Sequence, residues 1–193
     1  MLKSSIQINL PTWLSGFNAE KSGVYATPEA RMQLVVMLSR LNIEQGTGGP
    51  FGAAVFDRQT HQLLATGVNL VTSSDCSLAH AEMVALASAQ QQFGSFDLGA
   101  KGLPECELVS SCEPCAMCFG AIPWSGVRHV ICGARDSDAR AIGFDEGPRH
   151  PDWQQQLLVR GIGVECDVCR DDAASVLRTY ADQGGLIYNG REA

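Results

Sequence analysis

In the segment Pro114-Cys115-Ala116-Met117-Cys118, two cysteines lie three residues apart. Side chains at this spacing share one face of a helix, so both sulfur atoms can reach a single metal ion. Pro114 suits the first helical turn and leaves Cys115 near the helix N-terminus, where unpaired N–H groups and the helix dipole favour a thiolate over a thiol. The segment therefore predicts a helix whose start presents two thiolate ligands.

The segment His80-Ala81-Glu82 supplies a third ligand and an acid, and His80 lies 35 residues before Cys115 (115 minus 80). Ser77 is a suitable N-cap, which places His80 and Glu82 in the first turn of a helix, where both can lean toward an ion beyond its end. Two thiolates and one neutral imidazole leave a tetrahedral zinc ion one open position for a water that the metal acidifies. Glu82 then lies where a general base can take a proton from that water and later return it to the substrate.

Each segment alone is weak evidence, because a single C-x-x-C pair in a cytosolic chain is often buried or structural and a single H-x-E pattern means little. Their order, and their positions at two predicted helix starts, favour one catalytic zinc site formed by His80, Cys115 and Cys118. A zinc-stabilised interaction module without catalysis is the alternative. Glu82 argues against it, since a structural zinc site needs no carboxylate beside an open position.

The surrounding sequence predicts an α/β fold. A helix begins at Thr27-Pro28, with the threonine as N-cap and the proline at the first helical position. Two strands around a turn predict a hairpin, and the later alternation of strands and helices predicts parallel pairing with right-handed crossovers. The expected architecture is a three-layer α/β/α sandwich around a mixed sheet of about five strands. The predicted strands cover residues 53–57, 63–69, 107–111, 127–133 and 162–166, and further helices cover 78–92, a segment from about 115, 152–159 and 171–182.

The length suits one domain over residues 1–193, large enough to bury most of the surface that its unfolded chain exposes. Within it, residues 1–27 form a weakly patterned N-terminal arm and residues 184–193 a C-terminal tail. Residues 134–151 form a long connection, and such loops are often functional.

Composition narrows the class of protein. The formal net charge is -7 and the sequence pI about 5.0, which lowers the expectation of a nucleic-acid partner, since phosphate-binding proteins carry basic faces. The chain holds eight cysteines but is neither short nor loop-rich, so a disulfide scaffold is not expected. The sequence shows no secretory signal and no apolar run of membrane-spanning length. We expect a cytoplasmic protein that acts on a small, weakly charged substrate, with no membrane association.

Further segments carry a resemblance to a known enzyme family. The H-x-E and P-C-x-x-C pair is the signature of zinc nucleobase deaminases, and the chain resembles the cytidine deaminase-like superfamily over roughly residues 28–170. In detail it is more similar to bacterial guanine deaminases of that fold than to tRNA-adenosine or cytosine deaminases. The segments that carry this resemblance are Gly48-Gly49-Pro50-Phe51-Gly52-Ala53, Asn69-Leu70-Val71-Thr72, Ser111-Cys112-Glu113-Pro114-Cys115, Gly120-Ala121-Ile122-Pro123-Trp124 and Ala141-Ile142-Gly143-Phe144-Asp145-Glu146.

The last of these segments is the sharpest marker of the resemblance. The resemblance implies that this segment carries a second acidic group in the guanine enzymes. The last position of the segment is commonly aspartate in those enzymes, and this chain has Glu146 there. A second carboxyl has a chemical use, because the amine that leaves C2 of guanine needs a proton that an acid on a loop can deliver. The alternative is that Asp145 and Glu146 only solvate a loop.

We place the substrate contacts at Phe51, Asn69, Ala81, Trp124 and Phe144. Phe51 can stack on a base or pack in the core, and Asn69 offers a donor and an acceptor to a purine edge or serves as a turn residue. Trp124 either walls the pocket or packs in the core. A second C-x-x-C pair, at Cys166 and Cys169, has no nearby histidine and is interpreted as packing at a strand end, with metal binding or redox chemistry as the alternative.

The predicted function is zinc-dependent hydrolysis of guanine to xanthine and ammonia, with Glu82 and Glu146 as catalytic residues and Zn²⁺ as the cofactor. Other aminated purines or triazines are possible extra substrates. The rivals are a tRNA adenosine deaminase, which needs a basic groove, and a pyrimidine or pterin-type deaminase of the same fold. We also expect a homodimer, because the resemblance implies one and because Leu186-Ile187-Tyr188 follows a hinge-like Gly184-Gly185 pair and can cover the partner's pocket.

Overall fold

The computed structural model describes residues 5–189. The outer ends of the expected arm and tail, residues 1–4 and 190–193, lie outside the described residues. The helices are α1 (Thr12–Lys21), α2 (Pro28–Glu44), α3 (Val71–Ser74), α4 (Ala81–Phe93), α5 (Ala116–Ser125), α6 (Asp136–Ala141), α7 (Trp153–Leu158) and α8 (Arg170–Asp182), and the strands are β1 (Gly52–Asp57), β2 (Leu63–Val68), β3 (Cys106–Cys112), β4 (His129–Ala134) and β5 (Gly163–Glu165).

The described strands form one mixed sheet in the order β2-β1-β3-β4-β5. β1 pairs antiparallel with both β2 and β3, whereas β3, β4 and β5 run parallel. The predicted hairpin and the predicted parallel half are therefore confirmed. The carboxyl ends of β3 and β4 lie side by side at one edge, as the Cys112–Ala134 pair of the register shows.

Two hydrophobic clusters, one on each face, complete the three layers. The first joins the sheet to α2 and α8 through residues such as Met32, Val109 and Leu177. The second joins it to α4, α5 and α7 through residues such as Leu86 and Ile122. The sandwich predicted from the alternation of elements is confirmed.

The start of α2 is confirmed at the predicted residue. The Thr27 side chain accepts a hydrogen bond of 3.1 Å from the Ala30 N–H, and Pro28 holds the first helical position. A cap of this kind stabilises a helix by about 1 kcal/mol.

The N-terminal arm differs from the prediction, because residues 12–21 form α1. Leu14 and Phe17 are buried in the first cluster, and Trp13 packs against the cluster at its edge. Apolar residues at positions i and i+3 of one helical turn supply that buried face. Burying two such side chains contributes about 1.5–3 kcal/mol each, which a solvated arm would forfeit.

The long connection at 134–151 is also more ordered than predicted, because its first part forms α6. Asp138 accepts from the Arg135 N–H at 2.8 Å, and its carboxylate receives two hydrogen bonds from Arg170 of α8. Polar contacts rather than an apolar stripe hold this helix, which explains why no hydrophobic period marked it. Within the described range 5–189, no helix has the length and hydropathy to span a bilayer.

Candidate active site

The predicted metal ligands meet where α4 and α5 begin. His80 is the N-cap of α4 and Cys115 is the N-cap of α5. The structure corrects two expectations here: Ser77 does not cap α4, and Pro114 precedes α5 instead of opening it. The reason is that each ligand occupies the cap itself, where an extended backbone turns the side chain past the helix end.

The three ligand atoms have the spacing that zinc requires. The Nδ1 atom of His80 lies 3.5 Å from the sulfur of Cys115 and 3.7 Å from the sulfur of Cys118. Zn–N bonds of about 2.0–2.1 Å and Zn–S bonds of about 2.3 Å at a tetrahedral angle put nitrogen and sulfur about 3.5 Å apart. Among the described residues, these three form the one group of its kind whose ligand atoms all lie within 4.8 Å of one another. The donor set therefore fits a zinc ion with one position left for a further ligand.

The electrostatics of the cysteine pair suit a cation. A hydrogen bond from the Cys118 thiol, together with His80, lowers the pKa of Cys115 to about 4. The Cys118 N–H also points at the Cys115 sulfur at 3.5 Å. One thiolate is thus favoured by the protein, and a bound metal favours both.

Glu82 lies two residues beyond His80, at the second position of α4, and is buried. Burial is the main cause that raises the pKa of the Glu82 carboxyl above the ordinary value, and repulsion from the nearby Cys115 is the second. A buried carboxyl with a raised pKa beside a metal-binding group is typical of a group that exchanges protons.

A cavity of about 230 Å³ opens onto these residues. That is smaller than the roughly 300–1,000 Å³ of sites for drug-sized ligands and suits a single heterocycle. Its lining consists of Phe51, Asn69, Val71, Ser77, His80, Glu82, Cys112, Glu113, Cys115, Phe144, Asp145, Glu146, Tyr188 and Asn189.

Glu146 brings a second buried carboxyl to the same cavity. Its side chain is buried, and its backbone oxygen accepts a 2.9 Å hydrogen bond from the Ala116 N–H in the first turn of α5. Burial, with added repulsion from Cys115 and Glu82, raises the pKa of Glu146 to about 8. The neighbouring Asp145 is mostly exposed and bonds to the loop itself, since its side chain accepts from the Gly147 N–H at 2.9 Å.

Two arginines fix the loop that carries Glu146. Arg149 donates to the Glu113 carboxylate at 2.9 Å and to the Pro114 carbonyl at 3.1 Å, directly before the ligand Cys115. Arg140 donates to the carbonyl of Gly147 at 3.0 Å. The loop is therefore tied to the strand-to-helix junction that holds the metal ligands.

Asn69 is buried at the end of β2 and lines the cavity. Its side-chain oxygen accepts from the Val71 N–H at 3.2 Å, and its side chain also hydrogen-bonds the Tyr188 hydroxyl at the cavity. A Cβ at Gly48 would overlap the Asn69 carbonyl oxygen, and a Cβ at Gly49 would come within 2.9 Å of the Tyr188 hydroxyl. The paired glycines of this segment therefore allow close approach of the backbone around the cavity.

Aromatic rings form one wall. Phe144 meets Phe51 edge to face, with ring centres 5.1 Å apart, and meets Tyr188 in the same way at 5.1 Å. Phe51 also touches both hydrophobic clusters. Phe51 thus belongs to the core and to the cavity lining at once, so both of its interpretations hold.

Two of the predicted substrate contacts lie elsewhere. Trp124 is 85% exposed and lies near the end of α5, beside Phe119 and Pro123, outside the cavity and outside the core. The physical reason is its position nine residues after the cap at Cys115, which places it far along the helix from the metal group. The side chain of Ala81 is buried in the second cluster, so only its backbone N–H, in the first turn of α4, remains available for a contact.

The C-terminal tail, which the sequence predicted could cover a partner's pocket, supplies two lining residues. Tyr188 and Asn189 lie against the cavity of their own chain. Asn189 accepts from the Asp145 N–H at 2.9 Å and donates to the Gly143 carbonyl at 3.0 Å. The apolar Leu186-Ile187-Tyr188 run was a signal of burial but carried no information about which chain the tail covers.

Residues 26–134 match the family model described as the cytidine and deoxycytidylate deaminase zinc-binding region. The solved structure of a guanine deaminase from Nitrosomonas europaea is 49% identical, with a TM-score of 0.89 over 94% of this chain and 99% of that one. A structure described as a complex with 2,6-diaminopurine is 51% identical, with a TM-score of 0.90 over 97% of this chain and 98% of that one. The guanine deaminase of Bacillus subtilis is 37% identical over 61% of this chain and 71% of its own length.

Proposed function

We propose, since this chain belongs to the cytidine and deoxycytidylate deaminase zinc-binding family, that it hydrolyses guanine to xanthine and ammonia. One observation carries the proposal: two buried carboxyls, Glu82 and Glu146, face a single cavity beside the His80, Cys115 and Cys118 group. Loss of an amino group by hydrolysis needs an acid–base group for water and a proton for the leaving amine.

His80, Cys115 and Cys118 would hold the zinc ion. When bound, zinc lowers the pKa of a water in its open position to about 7 and so supplies a nucleophile at neutral pH. Two of the ligands, His80 and Cys115, extend from the N-caps of α4 and α5, so the helix starts place both side chains toward the metal.

Glu82 takes a proton from the attacking water and passes it to a ring nitrogen of guanine. Glu146 delivers a proton to the amine at C2, which then leaves as ammonia. The oxygen at C2 gives its remaining proton to Glu82 and becomes the new carbonyl of xanthine, and transfer of that proton through solvent restores Glu146 for the next turnover. The atoms balance as guanine plus water giving xanthine plus ammonia. The raised pKa of Glu146 in the protein favours the protonated form that a proton donor needs.

The lining of the cavity favours a neutral, hydrogen-bond-donating base. Four acidic side chains, Glu82, Glu113, Asp145 and Glu146, line it, and no lysine or arginine does so among the described residues. Guanine offers several N–H donors to such a lining. The NH₂ group of Asn69 can donate to an acceptor on the purine edge, and Phe51 and Phe144 cover its face.

The same lining argues against a tRNA substrate. A base inside tRNA brings phosphates on both sides, and these would meet carboxylates in place of the basic side chains that neutralise phosphate. The acidic overall charge of -7 points the same way. A pyrimidine deaminase needs no second acid at Glu146, and a structural zinc module needs neither carboxyl.

A substrate panel tests the proposal. Purified zinc-loaded protein is incubated with guanine, adenine, cytosine and their nucleosides, and with a tRNA transcript, and ammonia release is measured. Glu82→Gln protein prepared in parallel is the control for contaminating activity. We expect release from guanine alone or most rapidly, whereas faster release from cytosine or from the transcript would replace guanine by the corresponding rival.

The protein is further proposed to be a cytoplasmic homodimer that binds no nucleic acid. Trp124 is exposed beside Phe119 and Pro123, and an exposed apolar patch of this kind is typical of a protein interface. Leu186, directly after the Gly184-Gly185 pair, is also exposed. Light scattering should give twice the mass of the 193-residue chain, and Trp124→Lys should shift it toward the monomer.

A further inference from the structure

Two cysteines outside the candidate active site face each other across parallel strands. The register of β4 and β5 ends with the pair Ile131–Glu165, and the next residue on each side is Cys132 and Cys166. The Val168 N–H donates to the Cys132 carbonyl at 3.1 Å, which keeps the chain after β5 beside β4. Neighbouring strands lie about 4.7–4.9 Å apart, and disulfide-linked Cα atoms are usually about 4.4–6.8 Å apart.

The two side chains lie on one face of the sheet, since Cys132 belongs to the second hydrophobic cluster and Cys166 packs against it. The side-chain amide of Gln154 donates to the Cys166 sulfur at 3.1 Å, and the Cys132 thiol is placed to donate to the same sulfur. Cys132 is fully buried, whereas Cys166 is partly exposed. One sulfur is thus open to a reagent from solvent, and the other lies directly behind it.

We propose that Cys132 and Cys166 form a redox-active dithiol, which a peroxide converts to a reversible disulfide without disturbing the zinc ligands. The pair is separate from the group formed by His80, Cys115 and Cys118, and the proposal does not depend on the substrate of the enzyme. The site of modification lies at the β4–β5 edge of the sheet.

The chemistry needs one peroxide molecule. The Cys166 thiolate attacks one peroxide oxygen, the O–O bond breaks, and with one proton the products are a sulfenic acid and one water. Cys132 then loses its proton and attacks the sulfenic sulfur, so that the S–O bond breaks, the S–S bond forms and a second water leaves. Two thiols are oxidised by two electrons, and the peroxide is reduced to two waters. The two hydrogen bonds to Cys166 lower its pKa and favour the thiolate that begins this sequence.

Cys169, the other cysteine of the C-x-x-C motif, is not the partner of Cys166. Cys169 is the N-cap of α8, and its thiol points to the Glu29 carbonyl, with 3.9 Å between sulfur and oxygen. Cys169 packs against the first hydrophobic cluster, on the opposite face of the sheet from the second cluster that Cys166 packs against. The spatial neighbour Cys132, 34 residues earlier (166 minus 132), is the partner that the sheet provides.

Peptide mapping tests the proposal. Zinc-loaded full-length protein is treated with about one equivalent of hydrogen peroxide, free thiols are alkylated, and trypsin is added without reductant. Cleavage after arginine gives peptides 129–135, with Cys132, and 161–170, with Cys166 and Cys169. We expect a species that joins these two peptides, carries an alkylated Cys169 and disappears with dithiothreitol, while the zinc content stays at about one ion per chain.

Matched variants identify the sulfurs. Cys166→Ser and Cys132→Ala should each abolish the linked species, and Cys169→Ser should retain it. Cys166→Ser, at a partly exposed position, guards against misfolding of the buried Cys132→Ala variant. A disulfide within peptide 161–170, oxidation to sulfinic acid without a link, or a link that forms only after zinc is lost would each overturn the proposal.

Discussion

The cavity has two walls that are built differently. On one side, His80, Glu82, Cys115 and Cys118 occupy the caps and first turns of α4 and α5, whose backbones pack on the central sheet. On the other side, Glu146 and the tail residues Tyr188 and Asn189 lie on segments without regular structure. Side-chain contacts position that second wall, above all the hydrogen bonds from Arg149, Arg140 and Asn189.

This difference has a physical consequence for the reaction. Segments outside regular secondary structure open locally at a smaller free-energy cost than helices and strands packed in the core. The metal wall can therefore stay fixed while the opposite wall opens to admit the base and to release xanthine. Changes in the first wall should give the larger losses of activity, and changes in the second should give the smaller ones.

The largest effect is expected for Cys115→Ser. Removing one of three protein ligands should lower zinc from about one ion per chain to a small fraction and abolish ammonia release, because a hydroxyl is a much weaker zinc ligand than a thiolate. Metal analysis of the purified variant checks this, with Cys169→Ser as the matched control. Zinc that persists undiminished would contradict the assignment and direct attention to Cys166 and Cys169.

Glu82→Gln should come next, with zinc and fold retained but turnover reduced. A positioned acid–base group contributes about 10²–10⁴ in rate, and one that handles more than one transfer should reach the upper part of that range. Steady-state xanthine formation gives the rate, and Glu165→Gln at an exposed position serves as the control. Near-normal turnover would remove Glu82 from the mechanism.

Glu146→Gln should lower kcat for guanine by about 10²-fold with little change in KM, which is the signature of an interaction made mainly in the transition state. Glutamine keeps the size and much of the hydrogen bonding but has no proton to give. Glu146→Asp should recover measurable turnover, since it restores the acid. If the glutamine variant turns over guanine normally, Glu146 is not the proton donor, and the second wall takes no part in the chemical step.

The smallest effect is expected from removing the tail after Gly185. The variant loses Tyr188 from the aromatic wall, so KM for guanine should rise by about tenfold, equivalent to about 1.4 kcal/mol of binding. Leu186→Ala, which changes only an exposed tail residue, should behave as wild type. Unchanged kinetics after truncation would exclude a role for the tail at the cavity.

A mixing experiment shows which chain the tail serves. Truncated protein is combined with full-length Cys115→Ser protein, which has a tail but no metal site. The contacts of Tyr188 and Asn189 within one chain predict no recovery of KM. Recovery would mean that the tail covers the cavity of a partner.

The sequence predicted the sheet, most element boundaries and the metal group, because each depends on local spacing. Helix caps were harder, since Ser77 is a good cap by type but His80 holds the position. α1 was missed because its short apolar stripe becomes recognisable only once Leu14 and Phe17 pack on the core. Trp124 was misplaced because the residue type alone does not say which face of α5 the sheet covers.

What the sequence determined by itself is the chemistry of one wall: two thiolates at helical spacing, an imidazole, and a carboxyl two residues beyond it. Those residues act through short-range geometry that spacing encodes. Only the tertiary structure brought Glu146 within reach of that group, turned Tyr188 and Asn189 over the cavity and set Cys132 against Cys166. These residues come from distant parts of the chain. Their contacts depend on how the sheet, the loop at 134–151 and the tail pack together, which no local sequence pattern specifies.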